Sequence, residues 1–387
     1  MDKKYATIYD VADHAKVSIA TVSRVLTGSA PVRTDTRERV EAAIEELNFV
    51  PNSVARSLSG GRCGVIALVY PLDLERTGTD PLREDNASVL YADAIIRGAT
   101  WQAALHGYLL FACAIQVEKK QEATAVTRIA RVADAIILTD RAVSSVRSMR
   151  AGTRARTVLL SASATTKFGG AINIDNVQGI SDIVEHMRAE HNVTRFGFVG
   201  GIPDSYDAKI RYEAFTKSVA EHGGTVDERD VLCGYFSLTR AENAIYDRMK
   251  DSSPLPDVFV CANDQMAVGV TRALIHHGVR VPEDVAVTGF DDMPLASHVQ
   301  PSLTTVAQPA FDLGVAAVEM VIGILDGTRT TGTRETVPTH LIRRESCGCH
   351  VSKDTSVTTW PASSVAGMSA TAGDDVALSP TEMGVLS

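Results

Sequence analysis

Aromatic side chains are scarce, at 5% of the 387 residues. No apolar run reaches the roughly 18 residues that a membrane span requires. Residues 1–13 mix Lys3 and Lys4 with Asp2, Asp10 and Asp13, where a secretory signal would need an apolar stretch. A soluble, cytoplasmic protein is expected. Only six cysteines occur (Cys63, Cys113, Cys233, Cys261, Cys347 and Cys349), scattered and often inside apolar runs, which speaks against a disulfide framework. Gly197-Phe198-Val199-Gly200-Gly201 has neither the G-x-G-x-x-G spacing nor the Lys-Ser/Thr ending of a phosphate loop, so no nucleotide chemistry is implied. Metal-ligand spacing is missing too: His276-His277 has no companion ligand, and Cys347-Gly348-Cys349-His350 offers three donors without a fourth nearby. That placement reads as incidental, and neither metal nor cofactor is expected. Adjacent Asp291 and Asp292 diverge at a strand end and are poorly arranged to flank one bond, so the chain is read as no enzyme and no catalytic residue is assigned.

What is present fills more than one domain. The chain exceeds the roughly 250–300 residues at which a single core stops growing, and its 45% hydrophobic and 22% charged composition is that of a globular protein. Net charge is −9, yet residues 1–62 hold nine Lys or Arg against eight Asp or Glu. No carboxylate occurs between His14 and Thr34, nor between Leu47 and Leu72. Those windows contain Lys16, Arg24, Arg33, Arg56 and Arg62, two acid-free surfaces able to face phosphate.

The amino-terminal pattern predicts three short helices. Thr7 precedes Ile8, Val11 and Ala12 at helical spacing, with Tyr9 and Asp10 between them. Ser18 can cap a second helix over 19–26, ended by Gly28, with Val22, Val25 and Leu26 inward. A third runs over about 34–47, capped by Thr34 or Asp35, with Val40, Ala43, Ile44 and Leu47 inward. Two helices joined by a tight turn form a helix-turn-helix whose second helix enters the major groove. Ile19 and Ala20 can touch thymine methyls, Thr21 and Ser23 can bond phosphate oxygens, and Arg24 can grip guanine. A three-helix protein-binding module is the bland alternative. Pro51 to Gly61 then spells a two-turn helix, marginal alone, that would order against a second copy and the minor groove, with Leu58 as an apolar wedge; a plain linker is the other reading.

From Cys63 onward short apolar runs alternate with amphipathic stretches, the pattern of parallel sheets flanked by helices. Strands are expected at 64–70, 108–113, 135–138, 157–160 and 171–175, then at 195–199, 231–235, 257–261 and 284–288. The fold class is therefore an α+β multidomain chain, an all-α head followed by a two-lobed α/β domain with parallel sheets. Ligands of open α/β sheets settle at the carboxyl ends of the strands, where Asn263, Asp264, Asp291 and Asp292 stand, with Arg211 adding a planar donor fork. Such groups suit a polyhydroxylated ligand better than a phosphorylated anion.

These residues carry a resemblance. Tyr9-Asp10-Val11-Ala12, Val17-Ser18, Thr21-Val22-Ser23-Arg24-Val25-Leu26 and Pro51-Asn52, with Ala262-Asn263-Asp264, Gly289-Phe290-Asp291-Asp292, Leu303-Thr304-Thr305 and Arg344-Glu345-Ser346, are similar to the lactose and galactose repressor family of bacterial transcription regulators. The resemblance covers about residues 6–346. It implies a periplasmic-binding-protein-like body, a homodimer, a near-palindromic double-stranded operator and a small sugar or sugar-derived effector acting allosterically, without membrane association. Bases would be read by Ile19, Ala20 and Arg24, the central minor groove by Ala55 and Leu58, with Thr7, Tyr9, Ser18, Thr21, Ser23, Arg33, Asn52 and Arg56 completing the DNA-binding set. Arg211, Asn263 and Asp291 would hold the effector, Phe236 would pack on it, and Tyr91 is the nearest aromatic to the family's missing Pro-Phe-Phe loop.

The expected divisions are a head at 1–50, a hinge helix and linker at 51–62, and a body at 63–350. Lobe 1 takes about 63–191 and 308–338, and lobe 2 about 192–304 and 339–350; a disordered tail follows at 351–387. Thr27 in place of the usual Asn, the long segment 72–90 and a tail without leucine heptads depart from the family pattern. Release of DNA on effector binding is favoured over corepression. A nucleoside corepressor, a partner protein acting on the body, or an enzyme fused to a DNA-binding head remain the alternatives.

Overall fold

The computed structural model describes residues 6–27, 30–49, 62–72, 87–116, 122–139, 156–162 and 169–349. Three helices open it: α1 (Ile8–Ala15), α2 (Ile19–Thr27) and α3 (Thr34–Glu46). Thr7 and Asp10 close a capping box on α1, and Lys16 ends that helix in the left-handed region at φ 53°. Ser18 Oγ accepts from the Thr21 amide at 3.2 Å, which starts α2. The side-chain cap expected on α3 is absent: its N-cap is Arg33, and no side chain bonds the first turn. Val11, Ala12, Ala15, Val22, Val40, Ala43 and Phe49 are buried together as the head's core. Val25, Leu26, Ile44 and Leu47, read as inward, are partly buried at its margin, and Phe49 completes it. The expected hinge (51–62, save Arg62), Gly28, residues 73–86 and the tail lie outside the described residues.

The body begins with β1 (Val65–Leu72), α4 (Ala87–Leu105), β2 (Leu109–Gln116), α5 (Glu122–Ile129), β3 (Ala135–Leu138), β4 (Arg156–Leu160) and β5 (Gly169–Ile174). It continues through α6 (Asn176–His191), β6 (Arg195–Gly200), α7 (Tyr206–Glu221), β7 (Thr225–Cys233), α8 (Leu238–Arg248), β8 (Val258–Cys261), α9 (Asp264–His276) and β9 (Ala286–Thr288). It closes with β10 (Thr305–Ala307), α10 (Ala310–Asp326), β11 (Arg334–Val337) and β12 (His340–Ile342). Two parallel sheets result, ordered β11-β5-β4-β3-β1-β2 and β7-β6-β8-β9, with β10 and β12 pairing antiparallel as a small third sheet.

Alternation along β1 shows why the first sheet needs helices on both faces. Ile66 and Leu68 join the core beneath α4 and α10, whereas Ala67 and Val69 face Val126 and Ile129 of α5. The second sheet is similar but has a longer edge strand than its apolar run suggests. β7 starts at Thr225, and Asp227, Glu228 and Arg229 are tolerated there because an edge strand leaves one side to water. Buried Asp230 is held by Arg248 Nε at 2.7 Å.

The chain passes between the sheets near residues 175, 308 and 338. The expected lobe boundary near 191 is corrected by this: α6 packs on α7 rather than on the first sheet. Arg188 Nε donates to the His222 carbonyl at 2.9 Å, and the Ser181 and Ser218 hydroxyls lie 3.4 Å apart. A helix with apolar Ile180, Ile183, Val184 and Met187 on its inner side can serve either lobe, so periodicity alone does not place it.

Candidate functional site

Two sets of functional side chains emerge, one outward and one inward. In the head, α2 buries Val22 and turns Ile19, Ala20, Ser23 and Arg24 to solvent, with Ile19 40% exposed. Ile19, Ala20 and Arg24, the residues expected to read bases, are therefore all on the exposed side of α2. Thr21 is half-buried, its hydroxyl 2.9 Å from that of Ser18. Thr7 and Ser18 each cap a helix, so these two serve the fold directly. Tyr9 is exposed, and exposed Arg33 lies 3.3 Å from Asp35. Asn52, Ala55, Arg56 and Leu58 lie outside the described residues.

In the body the strand ends converge on Arg211. Ser205 caps α7 and sets Asp207 and Arg211 one turn apart, so both face inward. Arg211, 3% exposed, donates through Nε to Asn176 Oδ1 at 2.7 Å and through a terminal nitrogen to the Ala262 carbonyl at 2.5 Å. The same nitrogen lies 3.5 Å from Asp291 Oδ1. The guanidinium carbon sits 3.7 Å from the centroid of the Phe290 ring, a cation–π contact. Asn176 passes the network on by donating to Asp207 at 2.7 Å. Gln308 Nε2 donates to Asp291 at 2.5 Å, while Gln308 Oε1 is buried without a partner among the described residues. A buried acceptor left open beside a carboxylate is where a ligand hydroxyl would be received.

Electrostatics sharpen this cluster. Burial pushes the Asp291 carboxyl up to about 7, against the opposing pull of Arg211. Asp264, wholly buried, is raised well above the ordinary carboxylate range, by burial first and by Asp291 second. It accepts from the Met293 amide at 2.7 Å and from the Thr305 hydroxyl at 2.5 Å. Backbone strain gathers here too. Asp291 at φ 120° and Asp292 at φ 53° follow β9, and Tyr235 at φ 56° and Phe236 at φ 61° follow β7. Side chains other than glycine hold such angles only where the surroundings impose them, often at ligand sites. The Phe236 ring lies so close over Gly201 that a Cβ there would come within 2.2 Å of it, so only glycine fits beneath the ring.

Of the effector residues read from sequence, Arg211 and Asp291 meet directly. Asn263 adjoins Ala262 and caps α9 by accepting from the Met266 amide at 3.0 Å, so its carboxamide oxygen is engaged in the fold. Phe236 lies at the carboxyl ends of β6 and β7, and Tyr91 lies on α4, half-buried against the apolar core. Sequence reasoning missed Asn176, Asp207 and Gln308. Asn176 stands just past β5, so the strand-end rule applied to Asn263 would have found it; Asp207 lies in the first turn of α7, and Gln308 follows β10, a strand too short to show a pattern. Asp292 pairs with Arg344 at 2.7 Å, whereas its neighbour Asp291 lies against Arg211.

Cys347 and Cys349, expected to lack a further ligand nearby, do have candidate ligands close in space. Two histidines remote in sequence, His186 and His191, meet them in space. All six cysteines are free thiols.

Comparison with known proteins agrees on both parts. Residues 7–52 match bacterial regulatory proteins of the lacI family, and residues 184–347 match the periplasmic binding protein-like domain. The chain is 30% identical over 343 residues to the HTH-type transcriptional regulator RegA of Clostridium saccharobutylicum, covering 88% of this chain and 98% of RegA. It superposes on the lac repressor dimer bound to operator and the anti-inducer ONPF with a TM-score of 0.73 at 25% identity, covering 89% of this chain and 99% of that one. The transcriptional regulator CelR in complex with cellobiose matches with a TM-score of 0.61 at 26% identity, over 88% and 99% of the two chains.

Proposed function

The chain belongs to the LacI family of bacterial regulatory proteins, and from that premise we propose a repressor that grips a near-palindromic duplex as a homodimer and lets go when a small sugar-like effector enters the Arg211–Asp291 cluster. The observation that carries this reading is the position of the cluster. Asn176 and Gln308 stand at two of the three places where the chain passes between the sheets, and both bond the same Arg211–Asp291 pair. A ligand that rearranges those bonds acts on the crossings themselves, so its differential affinity for two lobe arrangements becomes a change in DNA affinity.

Dimerisation has support in the first sheet. Edge strand β2 exposes Leu109 (73%) and Phe111, and the adjoining α4 and α10 expose Trp101, Leu105 and Phe311. An uncovered apolar face on a sheet edge and its helices fits a second copy, and two joined heads raise the effective concentration of each on paired half-sites. No helix among the described residues is long and apolar enough to cross a membrane. The protein acts on DNA in the cytoplasm, on the nucleoid when bound. In this reading Asp264 and Asp291 serve to hold the site together: they accept from Thr305, Met293 and Gln308.

Calorimetric titration of the full chain with a panel of sugars and nucleosides, repeated on the operator complex, tests this. Binding of a sugar that weakens operator affinity is expected. A nucleoside that strengthens it would replace the inducer with a corepressor, and silence across the panel with DNA binding intact would move the body's signal to a partner protein.

A further inference from the structure

Four soft or borderline donors converge at the far end of α6 from the Arg211 cluster. His186 Nε2 lies 3.3 Å from His191 Nε2 and 3.5 Å from Cys347 Sγ. Cys349 Sγ lies 3.5 Å from each of the two histidine nitrogens. All four donor atoms fall within 4.8 Å of one another. A tetrahedron around zinc, with Zn–N of about 2.0–2.1 Å and Zn–S of about 2.3 Å, has edges of about 3.3 Å between nitrogens and about 3.6 Å between nitrogen and sulfur. The one nitrogen–nitrogen and three nitrogen–sulfur separations given above match those edges. The two imidazoles meet edge to face at 81°, which sends both Nε2 atoms toward one point from different directions. His186 is 5% exposed and its Nδ1 has no partner among the described residues, so the ring's polar contacts all run through Nε2 toward the other three donors.

We propose that His186, His191, Cys347 and Cys349 bind a zinc ion in a closed, four-coordinate Cys2His2 site that fastens the last described segment of the chain to α6. The local structure is built for it. His186 and His191 have four residues between them along the last turns of α6, within the H-x3–5-H spacing of such sites. Gly348 takes φ 98°, so the backbone can reverse between Cys347 and Cys349 and bring both sulfurs to one side. A Cβ at Gly348 would also stand 3.3 Å from His191 Nδ1. The Thr304 hydroxyl lies 3.0 Å from Cys347 Sγ, as an outer hydrogen bond to a metal-bound thiolate requires.

The clasp joins elements that matter for the switch. The cysteine segment is already pinned to the second sheet, since Ser346 Oγ donates to the Val287 carbonyl at 2.6 Å and accepts from the Thr304 amide at 2.9 Å. Helix α6 begins at Asn176, the partner of Arg211. With four protein ligands no position is left open for substrate or water, so the ion's work is to hold, not to catalyse.

The test uses the full chain, purified reduced. Elemental analysis is expected to find a single zinc per chain. The metal-free protein titrated with cobalt(II) alone is expected to develop the intense d–d bands of a tetrahedral ion with thiolate charge-transfer absorption, saturating at one equivalent. Cys349→Ser, at a half-buried position, is expected to lose that spectrum, and a chelator is expected to lower the melting temperature of the parent protein but not of Cys349→Ser, with zinc restoring the parent. If Cys349→Ser fails to fold, the cobalt spectrum of the parent decides. Absence of bound zinc together with a weak octahedral cobalt spectrum, or a tetrahedral spectrum unchanged in a folded Cys349→Ser, overturns the site.

Discussion

The head and the body place their functional side chains in opposite ways. On α2 the groups proposed to read DNA stand in solvent while Val22 behind them anchors the helix, so recognition and stability reside in different residues. In the body, Arg211 and Asp291 are buried and bonded, so the residues proposed to sense a ligand also hold the fold together. Arginine shows the contrast best: Arg24 is free to meet a partner, whereas Arg211 already has Asn176, Ala262 and Asp291 around it. The lesson is that a surface reader can be altered without penalty to the protein, and a buried sensor cannot.

Breaking that contrast is straightforward, beginning with the largest effect. Arg211→Ala removes the cation from a buried pair and takes the donor from the Asn176 side-chain oxygen and the Ala262 carbonyl, with an expected loss of about 3–5 kcal/mol in urea unfolding of the body. Little or no loss would mean that the cluster is not structural. Arg24→Ala is expected to weaken operator binding by about 1–3 kcal/mol in fluorescence anisotropy. Its melting temperature should stay unchanged, since exposed substitutions of this kind shift stability by no more than about 0.5 kcal/mol.

Smaller effects sharpen the comparison. Asp291 rises from 3.8 to about 7 on folding, so folding favours its protonated form. Its stabilising contribution is complete below about pH 4 and is lost as the pH climbs through 7, with a slope of at most about 1.4 kcal/mol per pH unit for one proton. Asp264, shifted the same way, adds to the trend. Unfolding free energy should therefore fall over that window, and Asp291→Asn should flatten the fall; an unchanged profile in Asp291→Asn would place the titration elsewhere. Ser18→Ala removes the cap of α2 and is expected to cost the head about 1 kcal/mol, read from the unfolding of the head by amide exchange.

The same contrast explains what the sequence made legible. An exposed reading helix depends on local order, and Ser18, Ile19, Val22 and Arg24 declare it within nine residues through a cap, an apolar stripe and an outward face. The strand pattern of the body is equally local, since β3, β4 and β8 are short buried apolar runs. What stayed hidden depends on long-range closure. Strands β10, β11 and β12 span three or four residues each and take their place from pairing partners far along the chain. Asn176, Asp207 and Gln308 become neighbours of Arg211 and Asp291 only when those strands close. The meeting of His186 and His191 with Cys347 and Cys349 lies across more than 150 residues, beyond any spacing rule. The side-chain cap of α3 is a local failure: Thr34 lies inside the helix instead of before it, because Arg33 occupies the extended N-cap position.

The most direct measurement is a competition titration of the full chain against genomic fragments and scrambled duplexes of equal length, over a range of salt, with and without Arg24→Ala. Expected are a strong preference for a near-palindromic fragment, an affinity that falls steeply as salt rises, and loss of the preference in Arg24→Ala while salt-dependent background binding persists. Equal binding to genomic and scrambled DNA, or a preference that survives Arg24→Ala intact, would contradict α2 as the reader of sequence.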